Sequence, residues 1–413
     1  MIVSSSDYNR LLAGSPPEDD ELLRRLSVGI DFVTDFWNEQ YLDAYIARGG
    51  SKIKFLTGYP GSGKSHALRL FLSDARARGY KTAAMSAKQI WIHDFKEIYS
   101  AVFKAIDFRA CLKTCADKII TGLGYDPADV PRDVTFADFL MARGAFDPIT
   151  RREFRALLNE MFFRNPRIDK NFAIGSALFA GGILGYPQLE PAASDLLWGW
   201  FEGDKGVKIA ALRKLGLSPS KITKHNARHM LRSLTEIIRL AGYEGLVIGI
   251  DDLEILAATS SLEEIRYTKM RREDAYESIR ELIDEIDTLR YTMFVFSFDR
   301  DLLEDEGRGL KSYQALWMRI QNEIEGGRVN RFSDIIDLDR VARQEYSAQT
   351  LARMSLRLAE AVSEMAPAAK GATETEVAAL LESGSLGNEL HALPKQIGRM
   401  TFASSEIGGN GHE

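Results

Sequence analysis

The sequence predicts an α/β protein in three layers, a parallel sheet between helices, with a large helical insertion and a helical C-terminal region. Three observations predict it. Apolar runs of strand length recur far apart in the chain, at 53–57, 81–85, 245–250, 291–298 and 332–338. The first two are joined by a glycine-rich turn and a helical pattern, and a crossover of that length returns the chain in the parallel sense. Most of the remainder shows the three- and four-residue apolar spacing of helices.

Residues 1–27 contain SPPEDDELLRR, read as a mobile polar lead running into a first helix. From Val28 to Arg48 the residues Ile30, Phe32, Val33, Phe36, Trp37, Tyr41, Leu42 and Tyr45 keep helical spacing, and Gly49 and Gly50 end it. IKFLT (53–57) is a buried strand. The helix from Lys64 carries Leu68, Phe71, Leu72 and Ala75 on one face and closes at Gly79, and KTAAM (81–85) is the next strand. Residues 91–229 are mostly helical and have no repeat of fixed period; within them an insertion spans about 107–222. Strands return at GLVIGI, YTMFVFSF and FSDIIDL. The core therefore covers 28–340, a helical unit 341–400, with Thr373 and Glu376 set as a capping box, and a disordered tail 401–413.

With 413 residues, 45% hydrophobic and 27% charged, the chain has the composition of a folded protein with a large core. Acids outnumber bases by 59 to 53, so the net charge of −6 supplies no global attraction to nucleic acid or anionic lipid, and only a local basic patch could do so. Cys111 and Cys115 stand four apart, as on one helix face, and lack the second pair of a zinc site; they read as reduced core thiols. The opening MIVSSSDYNR has no basic start and apolar core of a secretory leader, and the glycine-bearing run 172–186 is too short to span a membrane. A cytoplasmic location is expected.

Gly58-Tyr59-Pro60-Gly61-Ser62-Gly63-Lys64-Ser65 satisfies G-x-x-x-x-G-K-[ST] between a strand and a helix, the setting of a Walker A phosphate loop. Glycines let successive amides turn inward around a phosphate, and the helix N-terminus adds its positive end. Lys64 is expected on the β- and γ-phosphates of ATP and Ser65 on Mg²⁺; His66 either contacts phosphate or caps the turn. An apolar strand ending in acids, the Walker B pattern, appears at Leu246 to Asp252. Asp251 is expected to hold Mg²⁺ and Asp252 to orient the attacking water, with Glu254 nearby. Ser297 and Asp299 end the run 292–298 as γ-phosphate sensors, and Arg331 or Arg328 is a candidate arginine finger acting from a neighbouring subunit. The cluster Arg266, Lys269, Arg271 and Arg272 reads as a charge-laced helix face, because acids flank it. His225 and His229 lack the remaining ligands of a metal site.

The phosphate loop GYPGSGKSH, the strand end GLVIGIDDLE and the block RYTKMRREDAYESIRELIDEIDTLRYTMFVFSFDR resemble the ATP-binding proteins of BREX bacteriophage-exclusion systems, themselves similar to AAA+ ATPases of the origin-recognition branch. The likeness continues through LKSYQALWMRIQNEI and NRFSDIIDLD, over most of 28–340. It implies a P-loop NTPase of AAA+ type acting in antiviral defence, with other defence proteins as partners. It also implies that 341–400 form a lid in which Lys395 or Arg399 senses the γ-phosphate; the insertion is a departure from a minimal AAA+ module, and partner recognition is the role expected for it. Most AAA+ members carry Glu where this chain has Asp252, which implies either slow turnover or a dependence on Glu254. The expected activity is thus Mg-ATP hydrolysis coupled to conformational change or homo-oligomeric assembly. One rival is a nucleotide-gated scaffold or DNA-binding switch with little hydrolysis. The other, a small-molecule kinase, is disfavoured by the separate C-terminal helical region.

Overall fold

The computed structural model describes residues 3–259, 265–320, 329–382 and 397–402. The chain begins with α1 (Ser5–Leu12) and α2 (Asp20–Leu26), capped by the side chains of Ser4 and Asp19. The stretch expected to be a mobile lead is thus helical. Its polar character hides an apolar face: Val3, Leu22 and Leu26 pack with Leu358, Val362 and Phe402 from the far end of the chain. Next, α3 (Asp31–Trp37) passes into a π-type stretch, Asn38–Ile46, where the spacing predicts one continuous helix.

The strand–turn–helix–strand unit follows as β1 (Ser51–Gly58), α4 (Lys64–Ala77) and β2 (Lys81–Ser86). After α5 (Phe95–Ala105) comes the helical insertion, with α6 (Phe108–Gly122), α7 (Phe136–Ala142), α8 (Pro148–Phe163), α9 (Lys170–Leu184), α10 (Pro191–Glu202) and the single turn α11 (Ile209–Leu212). The chain returns through α12 (Ala227–Leu240) to β3 (Leu246–Asp251), α13 (Lys269–Glu285), β4 (Thr292–Asp299), α14 (Arg300–Glu304), α15 (Gln314–Ile320) and the short β5 (Ile335–Asp337). Then come α16 (Leu338–Glu345), α17 (Ala348–Val362), α18 (Glu374–Glu382) and a helical segment at 397–402.

The five strands are all parallel, in the order β2-β3-β4-β1-β5. Buried on both faces, they read as continuous apolar runs, and the two-residue period decides which layer each side chain joins. Phe294, Phe296 and Phe298 of β4 belong with Ile53, Phe55 and Ile248 to one apolar cluster that continues through α5, α12 and α13 into the insertion. Met293 and Val295 pack on the other side with Leu56, Val247, α4 and the 31–46 segment. Gly249 in β3 is needed for this closeness, since a Cβ there would lie 2.9 Å from Leu72 Cδ1 and 3.0 Å from Leu68 Cδ1 of α4.

The insertion has its own aromatic centre, in which Phe172 and Phe201 meet at 4.7 Å and Phe103 and Phe108 at 5.2 Å between ring centroids. Cys111 and Cys115 are free and buried in this layer, and burial pushes their thiols up to about 11 and about 12. The glycine-bearing run falls largely within α9, and among the described residues no helix is long and apolar enough to cross a membrane.

The N-terminal segment joins α4 to α17. Arg24 pairs with Asp74 at 2.9 Å and donates to the Ser73 carbonyl, Ser27 Oγ meets His66 Nε2 at 2.7 Å, and Arg357 donates to the carbonyls of Arg25 and Ser27 at 3.2 Å each. Burial, and then the Arg69 charge, lower the His66 pKa to about 4 from an ordinary 6.5. The unfolded chain therefore binds this proton first as pH falls. The stabilising contribution is complete above about pH 6.5 and is lost as pH approaches 4. Urea denaturation at pH 7 and pH 5 should show a larger loss of stability for the wild type than for His66→Gln; equal losses would assign the acid sensitivity to other groups.

Candidate functional site

Because the sheet is parallel, all five strands finish along one edge, at Gly58, Ser86, Asp251, Asp299 and Asp337. Each end residue is polar or glycine, where the strand interiors are apolar. The order of the sheet inserts β4 between β1 and β3, so the two motif strands stand two strand spacings apart, about 10 Å. The register sets Asp299 directly beside Gly58. This edge is where open α/β sheets bind ligands.

The loop after β1 turns through left-handed backbone at Gly61 (φ +92°) and Gly63 (φ +89°). Gly58 also requires its hydrogen, since a Cβ would lie 2.4 Å from Ser62 Oγ. The Tyr59 amide donates to Asp339 Oδ2 at 2.9 Å, anchoring the loop to the first turn of α16. Gly63 begins α4 without a side-chain cap, and no acid stands in the first turn, so the helix presents its amide end to the loop. Lys64 Nζ pairs with Asp299 at 2.7 Å and donates to the carbonyls of Gly58 and Tyr59 at 3.1 and 3.0 Å. Ser65 follows on the same turn, half-buried. Ser62 Oγ is buried and makes no hydrogen bond among the described residues. His66, expected at phosphate or as a cap, is given to Ser27.

At the acidic end, Asp251 Oδ1 accepts from Ser297 Oγ and from the Asp252 amide, the latter at 2.9 Å. Asp252 has left-handed backbone, φ +62°, which an aspartate tolerates better than most residues. Its carboxylate turns toward β2, accepting from Ser86 Oγ at 2.6 Å and Lys88 Nζ at 2.7 Å. Glu254 lies on the other side, 3.6 Å from Lys88 Nζ, and accepts from the Asp299 amide at 3.3 Å. Burial, then the Asp299 charge, raise its pKa. Burial opposes the charge on Lys88, but the Asp252 hydrogen bond and the charges of Asp252 and Glu254 outweigh it and raise the Lys88 pKa.

The fold thus gathers Lys64, Asp251, Ser297, Asp299, Asp252 and Glu254 at one edge. Sequence reasoning misses Ser86, Lys88, Asp337 and Asp339, and notes Arg300 only as a polar residue, with Ser297 and Asp299, at the end of the run 292–298. Arg300 pairs with Asp337 at 2.6 Å and lies over the Tyr59 ring at 5.3 Å, so it braces the loop from the β5 side. Asp337 carries the same signal as Asp251, an acid closing an apolar run; Lys88 has none until β2 is known to lie beside β3. Arg331 is not at the site within its own chain. It precedes β5, toward the opposite edge of the sheet, with its guanidinium 4.6 and 4.4 Å from the rings of Phe32 and Phe36. Arg399 is exposed in the last described segment, and Arg328 and Lys395 lie outside the described residues.

Of the 266–272 cluster, Arg266, Lys269 and Arg271 are exposed and Lys269 faces Glu273 one turn on, as a charge-laced face predicts, whereas Arg272 is buried and Arg271 also stacks 4.6 Å from the Trp91 ring. His229 contacts Arg232 and Asp169, and among the described residues no group of three or more candidate ligands could hold a metal ion. Ser65 with the Asp251 carboxylate is a donor set of the hard-oxygen kind that Mg²⁺ takes, one that substrate oxygens would complete.

A search of curated proteins finds no match to the chain. The family model described as "BREX system ATP-binding protein BrxC/D" matches residues 8–401, which includes every motif above. With a nucleotide-type loop at the edge of a parallel sheet and a match over nearly its whole length, the chain belongs to the BREX system ATP-binding protein BrxC/D family.

Proposed function

We propose that the chain is a Mg-ATP-dependent ATPase of AAA+ type that works in the cytoplasm within an antiphage defence system. The observation that supports this best is the convergence of Lys64, Asp251, Ser297 and Asp299 on three adjacent strand ends. Insertion of β4 between the two motif strands, and a helical unit packed after β5, agree with that reading. In it, residues 341–400 act as the lid, with Lys395 or Arg399 as its sensor.

In the proposed reaction, amides of 59–65 and the N-terminus of α4 wrap the triphosphate, and Lys64 exchanges its carbonyl and Asp299 contacts for phosphate oxygens. Ser65 and Asp251 hold Mg²⁺, which when bound neutralises phosphate charge. Ser297 orients the Asp251 carboxylate. Asp252, released from Ser86 and Lys88, directs the water, with Glu254 as the second carboxylate near Lys88. Arg331 acts as a finger in a neighbouring copy, which makes the working form a homo-oligomer, and other defence-system proteins receive the conformational change.

A second reading, a nucleotide-gated switch with slow turnover, is favoured by one observation: the carboxylate that would direct water is already held by two donors. Three measurements test these readings, the first testing both together. In calorimetry with Mg-ATP, Lys64→Met should bind about 10–100-fold more weakly, the worth of a charged hydrogen bond; wild-type protein that gives no binding heat would overturn both. In phosphate-release assays Asp252→Ala should lose about 10²–10⁴-fold in rate while still binding Mg-ATP, and an unchanged rate would move the role to Glu254. Lys88→Ala should free Asp252 and raise the basal rate several-fold, whereas a fall would make Lys88 part of the catalytic machinery.

A further inference from the structure

From Lys205 to Thr235 the chain runs for 31 residues without an aspartate or glutamate, and carries eight lysines and arginines there, in a protein where acids outnumber bases by 59 to 53. Folding keeps this bias on the outside. Lys205, Lys208, Arg213, Lys214, Lys221 and Lys224 are all exposed, and none forms an ion pair among the described residues. Elsewhere basic side chains commonly find a carboxylate, as in Arg280 with Glu277 or Arg319 with Asp284.

The segment is held in one piece. Lys221 Nζ donates to the Lys205 carbonyl at 2.9 Å, so the two ends of the basic loop meet, and Trp200 Nε1 donates to the Ser220 carbonyl at 3.0 Å. The Ser218 amide donates to Asn171 at 2.8 Å, tying the loop to α9. Buried Val207, Leu212, Leu217 and Ile222 anchor it from beneath. The cations therefore project from a packed base rather than from a free strand.

Beyond Lys224 lies a cavity of about 300 Å³ whose lining includes His93, Lys224, His225 and Arg228 and also the acids Asp274, Glu277 and Glu281, of which Glu281 already pairs with Arg228 at 2.7 Å. That balance of charge repels a polyanion from the cavity itself, so the attractive surface is the outer face, 205–224.

We infer that this face of the insertion is a docking surface for the phosphate backbone of duplex DNA. Six exposed cations on an anchored loop, none in an ion pair among the described residues, would neutralise backbone phosphates and release their condensed counterions. Duplex rather than single strand is indicated because no phenylalanine, tyrosine or tryptophan occurs between 202 and 242, so the segment that carries the cations supplies no ring of its own on which unstacked bases could rest. The surface reads no sequence, since backbone contacts position a protein without specifying bases. This inference does not rest on ATP hydrolysis and holds for either nucleotide reading.

The test is fluorescence anisotropy of full-length protein with a labelled 30-base-pair duplex across a salt series, without nucleotide. The wild type should bind with a steep salt dependence. The variant Lys208→Ala/Arg213→Ala/Lys214→Ala/Lys224→Ala should lose about tenfold or more in affinity, and its log–log salt slope should flatten by about three to four. A control variant on α8, Arg151→Ala/Arg152→Ala/Arg155→Ala, should keep wild-type binding, and equal thermal midpoints for both variants show that the fold is retained. Absence of duplex binding by the wild type, an unchanged affinity in the 208–224 variant, a loss confined to the α8 variant, or tighter binding of the single strand would each overturn the inference.

Discussion

The register between β1 and β4 is the constraint on which the candidate site depends. Pairing Gly58 with Asp299 brings the carboxylate that ends one strand against the loop that leaves the next, and Lys64 closes the gap at 2.7 Å. A slip of one residue would turn Asp299 to the other face of the sheet and bury a charge among the apolar side chains of β4. The same strand carries Ser297, two residues earlier and on the same face, to the carboxylate of Asp251. One central strand thus supplies a polar contact to each of the two motifs that flank it.

Legibility in the sequence follows from how local each signal is. Lys64 can be read from the glycine-rich motif that follows β1, and Asp251 and Asp299 because each closes an apolar run, the end of a parallel strand being a chemically distinct place. The alternation of Phe294, Phe296 and Phe298 with Met293 and Val295 also declares a strand, although not which layer each face meets. Lys88 is silent because its partner Asp252 lies 164 positions away and only the adjacency of β2 and β3 joins them. The N-terminal helices are misleading for a related reason. Their prolines and acids dominate the local composition, while the surface that orders them is contributed in part by Glu360, 335 positions from Arg25.

The N-terminal segment changes what the loop can be coupled to. Helix α4 begins at the loop and is gripped at His66 by Ser27 and at Asp74 by Arg24 and Asn38. The backbone that supplies Ser27 is in turn held by Arg357 of α17. A displacement of α4 therefore meets the C-terminal helices through a path of hydrogen bonds rather than through solvent. Tyr346 adds steric contact, since Gly29 sits so close that a Cβ would lie 2.8 Å from its ring. The C-terminal unit is thus mechanically attached to the helix whose first turn would carry the phosphate load.

A second path leaves the opposite side of the site. The segment after β2 starts with Ser86 and Lys88 on Asp252, and within a few residues reaches Trp91 and His93 beside the cavity at the end of the basic face. It is fixed at that end too: the Ile92 amide accepts no slack, donating to Tyr267 Oη at 2.8 Å, and Trp91 lies between Tyr267 and the Arg271 guanidinium. A short segment pinned at both ends transmits a change at one end as a displacement rather than absorbing it as local motion. In the proposed mechanism, energy would pass between this edge and the cavity beside the basic face only to the extent that Lys88 is held differently with and without a triphosphate, because coupling is a difference of contacts between states. On that reading the relevant pair is Lys88 with Asp252, whose strength in the resting chain sets both how firmly the carboxylate proposed to direct water is withheld and how much is available to move the segment when it is released.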